Sequence, residues 1–218
     1  MFNFNIINMN KLPEKTIGRL SEYRRTLLNC WAKGKTHIYS HELASLHNIT
    51  AVQVRRDIML IGYSTTLKKG YDVKALIDVI SDIIDTDDGL NAVVIGIGNL
   101  GKAITAYFNG KRSKLTIAAT FDINPDKTNR VISGVKCYAM SDFEKMVKEM
   151  DISIGILTVP PEEAAQVTER LIMSGIKGIL NYTSTSLNVS PNVYLEEYDM
   201  ITSIEKVAYF VKQRNKES

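Results

Sequence analysis

The sequence predicts an α/β chain in two parts: a small basic head of short helices, then a doubly wound parallel sheet closed by an amphipathic helix. Three observations carry this expectation. Positive charge gathers at the N-terminal end, where residues 1–71 hold 11 Lys and Arg against 4 Asp and Glu, while residues 72–218 hold 16 against 20. Apolar residues recur at helical spacing in the head. From Leu90 onward, short apolar runs alternate with helical stretches, as strands buried between two layers of helices do. A basic head on a neutral-to-acidic body marks a chain that meets a polyanion.

Composition agrees. Hydrophobic residues make up 44% of the 218 and charged residues 23%, which supports a packed core and disfavours disorder. No apolar run approaches the ~18 residues of a membrane span, and no secretory pattern follows the N-terminus, so a cytoplasmic location is expected. Cys30 and Cys137 lack metal-ligand spacing and have no histidine nearby. They read as free thiols in a reducing compartment, and no metal is expected.

The head reads as follows. Pro13 is expected at the first position of a helix carrying Ile17, Leu20, Leu27, Leu28 and Trp31, which stops near Gly34. Ser40 is the expected N-cap of a short second helix with Leu43, Ala44 and Leu46. Thr50 and Gln53 form a Thr-x-x-Gln capping box that opens a third helix ending near Gly62. On a helical wheel Ala51, Val54, Ile58 and Ile61 share one face; Gln53 and Arg56 fall opposite, with Arg55 and Val52 at the flanks. Three short helices with a basic, amide-bearing face on the third describe a helix-turn-helix, since Arg pairs with guanine, Gln with adenine, and Val touches a thymine methyl. Residues 63–71 carry β-formers and a Lys-Lys-Gly break, which suits a wing with Lys68 and Lys69 reaching phosphates. Asp72 caps a fourth helix bearing Leu76, Ile77, Ile80, Ile83 and Ile84, and Asp85–Gly89 reads as a linker.

In the body, Leu90–Ile95 is an apolar run that enters Gly96-Ile97-Gly98-Asn99-Leu100-Gly101 directly, and a helix follows through Ala103, Ile104 and Tyr107. This is a G-x-G-x-x-G between strand and helix, where a dinucleotide fold needs it. Gly96 allows the tight turn, Gly98 the approach of a pyrophosphate, and Gly101 the packing of helix on strand; the phosphates sit on the helix N-terminus. The next strand, Leu115–Phe121, ends in Asp122, 21 positions after Gly101, where a ribose-binding acid belongs. A carboxylate there accepts from both ribose hydroxyls and repels a 2′-phosphate, favouring NAD(H) over NADP(H). Ser141 to Glu144 reads as a second capping box opening a helix to Met150. Ile152–Thr158 is a strand, Pro160-Pro161 opens a helix to about Ser174, and Ile176–Asn181 is another strand. The alternation gives a Rossmann-type sheet. Ile201, Ile204, Val207, Ala208 and Val211 then form the stripe of a terminal amphipathic helix that must bury itself in the domain or on a partner.

Enzymatic chemistry is poorly supplied. Residues 72–218 contain no histidine, which excludes a histidine proton relay in the body. Tyr107-Phe-Asn-Gly-Lys111 has the Tyr-x-x-x-Lys spacing of short-chain dehydrogenases, but it lies close to the phosphate loop rather than beside a nicotinamide.

Both halves resemble one family. Pro13-x-x-Thr16-x-x-Arg19-Leu20-x-x-Tyr23, with Arg25 after it, resembles the first helix of the Rex family of redox-sensing transcriptional repressors, and Gln53-Val-Arg-Arg-Asp57 resembles its recognition helix. Gly96–Gly101, Phe121-Asp122, Thr158-Val159-Pro160 and Gly175–Asn181 resemble its nucleotide domain, in the same order, so the likeness runs from Leu12 to about Phe210. The resemblance implies a homodimer with swapped C-terminal helices, an inverted-repeat DNA operator, and release of DNA by NADH with NAD+ competing. It also implies coupling through Arg25, Tyr107 and Asp199. The chain is thus divided into a winged helix-turn-helix domain (1–85), a Rossmann NAD(H)-binding domain (86–199), and a swapped helix with its tail (200–218). Candidate DNA contacts are Ser40, Gln53, Arg55, Arg56, Lys68 and Lys69. Candidate nucleotide contacts are Gly96, Ile97, Gly98, Asn99, Leu100, Gly101, Tyr107, Asp122, Thr158, Val159 and Pro160. The chain departs from the family in its wing, where Thr65 and Lys68 stand at common glycine positions, and at Asn181-Tyr182-Thr183-Ser184, where Asn-Phe-Ala-Pro is usual. Two further readings stay open: a DNA-binding regulator whose nucleotide role is altered or structural, and an NAD-dependent oxidoreductase with a DNA-binding appendage.

Overall fold

The computed structural model describes residues 12–65, 69–108 and 114–217. Lys68 and Lys111 lie outside them. The chain divides into two compact units at Thr86/Asp87.

The first unit holds α1 (Glu14–Ala32), β1 (His37–Ile38), α2 (Ser40–Leu46), α3 (Ala51–Leu60), β2 (Tyr71–Asp72) and α4 (Val73–Ile84). β1 and β2 pair antiparallel, with Ile38 opposite Tyr71. Gly70 makes that pairing fit: its φ is +89°, and a Cβ there would stand 2.6 Å from the Ile38 carbonyl oxygen. Leu20, Tyr23, Leu27, Leu43, Val54, Ile58, Leu76, Ile77 and Ile80 form the core. Truncating one such Leu or Ile to Ala typically costs about 2–5 kcal/mol.

Four local expectations are corrected. Pro13 is the N-cap of α1 rather than its first residue. The buried face of α1 runs through Thr16, Leu20, Tyr23 and Leu27, leaving Ile17, Leu28 and Trp31 exposed. Ser40 lies inside α2, because Tyr39 is the N-cap and its N–H donates to the Glu42 carboxylate at 2.8 Å. Asp72 caps α4 as expected, accepting from the Ala75 N–H at 2.8 Å. Asp85, read as linker, closes the helix and accepts from buried Arg24 at 2.8 Å.

The second unit is built on a seven-stranded sheet in the order β5-β6-β4-β3-β7-β8-β9. The strands are β3 (Leu90–Ile95), β4 (Leu115–Asp122), β5 (Val131–Ile132), β6 (Val135–Ala139), β7 (Ile152–Leu157), β8 (Gly178–Asn181) and β9 (Tyr194–Glu197). All neighbours are parallel except the β5–β6 hairpin at one edge. α5 (Asn99–Phe108), α6 (Phe143–Glu149), α7 (Ala164–Met173) and α8 (Met200–Glu217) complete the unit. Two apolar clusters cover the two faces of the sheet. One joins Val93, Ile95 and Phe121 to Phe143, Val147 and Leu171; the other joins Ala92, Val94 and Ile117 to Ile104. The strand order reverses beside β3, so the crevice for a ligand opens at the ends of β3 and β7.

The second capping box does not form. Ser141 lies in a short 3-10 turn (Met140–Asp142) ahead of α6, and the Glu144 carboxylate pairs with Arg170 of α7 instead of reaching back. A bidentate guanidinium partner outcompetes a single backbone N–H.

Candidate functional site

α3 starts where Thr50 predicts, with the hydroxyl accepting the Gln53 N–H at 3.1 Å. Gln53 does not return the bond. Its side-chain Nε2 donates to Asp57 at 2.9 Å, one turn on. Asp57 is fully buried and accepts from Arg19 Nε at 2.6 Å, Arg19 Nη2 at 2.7 Å and the Tyr23 hydroxyl at 2.9 Å. Burial alone would raise the Asp57 pKa; the bonds from Arg19, Tyr23 and Gln53 outweigh it and hold the carboxyl below its usual range. Burial, and then the same carboxylate, pushes the Tyr23 phenol up.

Drawing Asp57 inward turns the helix from the expected wheel. Val54, Asp57 and Ile58 face the core, and Gln53 sits half-buried at the flank rather than opposite. The outward pole carries Val52, Arg55, Arg56 and Met59, all exposed. Arg55 donates to the Ser40 hydroxyl at 3.1 Å, which joins α3 to the start of α2. Beside Ser40, Tyr39 stacks on His41 with ring centres 5.4 Å apart, a pair the sequence reading passed over. Lys69 is exposed at the end of the wing.

In the second unit the glycine loop has the predicted shape. Gly96 has φ +90°, and a Cβ there would lie 2.8 Å from the Thr158 carbonyl oxygen. Gly101 is buried against the loop, where a Cβ would meet the Gly96 oxygen at 2.2 Å. A Cβ on Gly98 would meet nothing within 4 Å, so this position is open at the helix N-terminus. Thr158 holds the loop rather than standing free, since its hydroxyl lies 2.7 Å from the Gly96 carbonyl and 3.0 Å from that of Ile95. Ile97 is buried in the core and Leu100 packs on it, so these two support the loop; Asn99 is exposed.

Asp122, 6% exposed, ties the loop to β4. It accepts from the Ile97 N–H at 2.8 Å, the Asn124 N–H at 2.8 Å and the Lys127 ammonium at 2.9 Å. Burial works against its charge, but Lys127 and the two N–H donors more than compensate, and the pKa falls. The carboxylate therefore does not face a 2′-phosphate as an isolated anion. Lys127 offsets part of the repulsion expected from the sequence.

These groups line a cleft of about 1020 Å³ with Gly96, Gly98, Thr158, Val159 and Pro160. That is at the upper end of the roughly 300–1,000 Å³ usual for small-molecule sites. Lys127, Asn124, Met140, Glu144, Gln166 and Arg170 also line it. Arg170 holds the Glu144 pKa down at about 2. Lys127 was missed in the sequence, although a cation five places after the ribose acid is a local signal for it. The Glu144–Arg170 pair had no such signal, because 26 residues separate its partners. The donor set fits a dinucleotide: an open glycine at a helix N-terminus for phosphates, a carboxylate for ribose, and an apolar wall of Met140, Val159 and Val167 for a base.

Tyr107, 61% exposed, lies on α5 outside the cleft lining. Arg25 is exposed on α1. Asp199 caps α8, accepting from the Ile201 and Thr202 N–H groups at 2.9 and 3.2 Å. Among the described residues no cluster of His, Cys, Asp and Glu is arranged to hold a metal, and no helix is long and apolar enough to cross a membrane.

Comparison with known proteins agrees with this geometry. Residues 11–58 match the family described as putative DNA-binding protein N-terminus, and residues 87–185 match the CoA binding domain family. The chain is 36% identical over 203 residues to the redox-sensing transcriptional repressor Rex of Bacillus licheniformis, covering 93% of this chain and 94% of the relative. It is also 36% identical to that of Bacillus subtilis, covering 94% of each. Among solved structures it resembles RSP, a Rex-family repressor, in complex with NAD+ and operator DNA, at 31% identity with a TM-score of 0.86 over 94% of each chain. The NADH complex of RSP gives 30% identity and a TM-score of 0.82, over 94% of this chain and 96% of that one.

Proposed function

The chain belongs to the Rex family of redox-sensing transcriptional repressors, and from that premise we propose that it grips an inverted-repeat operator as a homodimer and releases it when NADH fills the cleft. It is a DNA-binding transcription factor rather than an oxidoreductase, and its Rossmann unit binds NAD(H). The nucleotide is read as a signal and undergoes no turnover here.

The observation that carries this reading is the glycine loop. Gly96 and Gly101 leave no room for a Cβ, Gly98 stands open at the helix N-terminus, and Asp122 stands at the end of the next strand. In this reading Gly96, Gly98, Asn99 and the start of α5 hold the pyrophosphate, and Asp122 with Lys127 holds the adenosine ribose. Met140, Val159 and Pro160 face the adenine. Ser40, Gln53, Arg55, Arg56, Lys68 and Lys69 meet DNA.

The homodimer rests on α8. Ile201, Ile204, Val207, Tyr209, Phe210 and Val211 are between 53% and 69% exposed in the single chain. An exposed apolar stripe of this size marks an interaction surface, and a second copy of the chain is the cover its family implies. Asp199 at the α8 cap, Tyr107 on α5 and Arg25 on α1 carry the coupling between nucleotide and DNA. NADH releases the operator only to the extent that it binds the released state more tightly, and each tenfold of release takes about 1.4 kcal/mol of differential affinity. A cytoplasmic location follows from this role.

Selection from random duplexes with the full-length protein tests the proposal. Enrichment of an inverted repeat supports it. Enrichment of lone half-sites, or of nothing, overturns the dimeric operator reading.

A further inference from the structure

A buried carboxylate sits directly behind the DNA-reading face. Asp57 bridges two helices: Arg19 and Tyr23 come from α1, one turn apart, and Asp57 itself belongs to α3. Arg19 Nη2 also lies 3.2 Å from the Thr16 hydroxyl, so the guanidinium is held on both sides. The bidentate fork fixes the carboxylate in plane as well as in distance. Asp57's remaining bond runs to Gln53, at the edge of the exposed pole that carries Arg56.

That bond selects one end of the Gln53 amide. An ionised carboxylate only accepts, so the nitrogen and not the oxygen of Gln53 must face it. The amide then keeps its carbonyl oxygen and one N–H for an outside partner, the pair of groups that matches an adenine edge. Without the carboxylate the amide can turn over, and the two arrangements present different patterns to a base.

We propose that Asp57, clamped by Arg19 and Tyr23, is a positioning residue for sequence recognition: it orients the Gln53 amide and so sets a preference for an A·T pair at one position of each half-site. This rests on α3 being the reading helix. The charged network is therefore part of specificity as well as of the fold, which explains why a helix core spends a Arg–Asp pair where apolar residues would pack.

The test measures relative affinities of the full-length protein for an operator series with each half-site base pair substituted in turn. The proteins are wild type, Gln53→Ala, Asp57→Asn, their double variant, and Tyr23→Phe, which keeps the ring and removes one bond. Gln53→Ala and Asp57→Asn should each flatten the preference at the same single base pair, by about tenfold. The double variant should flatten it no further than Gln53→Ala alone, and Tyr23→Phe should flatten it partly. Preferences at other positions, and NADH affinity in the other unit, should hold. If Gln53→Ala shifts one position while Asp57→Asn and Tyr23→Phe weaken all operators evenly, Asp57 is structural only and the proposal falls. If Gln53→Ala shifts no base preference while wild type still discriminates among the operators, the helix reads without Gln53 and this proposal falls alone; if wild type discriminates among none of them, the reading it rests on falls too. Should Asp57→Asn not fold, Tyr23→Phe decides between the same outcomes.

Discussion

Replacing Asp122 with Ala separates cofactor identity from cofactor binding. In the structure its carboxylate accepts from Ile97, Asn124 and Lys127, within 2.8–2.9 Å. Ribose hydroxyls would add charge-assisted hydrogen bonds worth about 1.5–3 kcal/mol in total. Their loss should weaken NADH by about 10- to 150-fold. NADPH should behave differently. In the wild type its 2′-phosphate meets a carboxylate whose charge is partly offset by Lys127. In Asp122→Ala the carboxylate is gone and the ammonium remains, so NADPH should bind as well as before or better. Lys127→Met should do the reverse, sharpening the rejection of NADPH. Calorimetric titration of both nucleotides on all three proteins reads these shifts. If wild type binds NADPH as tightly as NADH, or Asp122→Ala leaves NADH affinity unchanged, Asp122 is not the ribose ligand.

Three further outcomes are expected. Arg56→Ala should weaken operator binding by about 1–3 kcal/mol and relax base preference, whereas Lys69→Ala should weaken all sequences evenly and make the salt dependence shallower; equal, sequence-independent losses in a fluorescence anisotropy titration would show the reading face misassigned. Removing residues 200–218 should dissociate or aggregate the protein, because the exposed α8 stripe needs a cover; a stable, soluble dimer by light scattering would contradict this. Asp57's pKa is lowered on folding, so the stability it contributes is complete above its unfolded value of about 3.9 and is lost as pH falls through the folded value. Trp31, the single tryptophan, lies on α1 and reports unfolding of this unit. Wild type should lose more stability than Asp57→Asn as pH drops below about 4, and parallel losses would count against the buried pair.

Local chemistry was legible in the sequence, and long-range pairing was not. Thr50 and Asp72 cap their helices because a short polar side chain can reach its own helix N-terminus wherever the chain goes. The glycine loop and Asp122 were legible because backbone sterics and strand length fix their spacing. Gln53 was placed on the wrong part of α3 because Asp57 reads as a surface residue until Arg19, 38 positions away, is brought beside it. Glu144 was read as a cap for the same reason. In β4, strict alternation would put Ile117 and Ala119 on one face. A register shift pairs Ala92 with Ile117 but Val93 with Ala119, so the two fall in different clusters. The β5–β6 hairpin had a local signal that was missed: Ser133-Gly134, both at positive φ, between two β-forming pairs. β1 and β9 are too short to show a period.

The most direct measurement of the central claim is an operator-binding titration with NADH and NAD+ added separately to the full-length protein. NADH should release the DNA at concentrations where NAD+ alone does not, and NAD+ added with NADH should restore binding. Equal effects of the two nucleotides, or none from either, would contradict that claim.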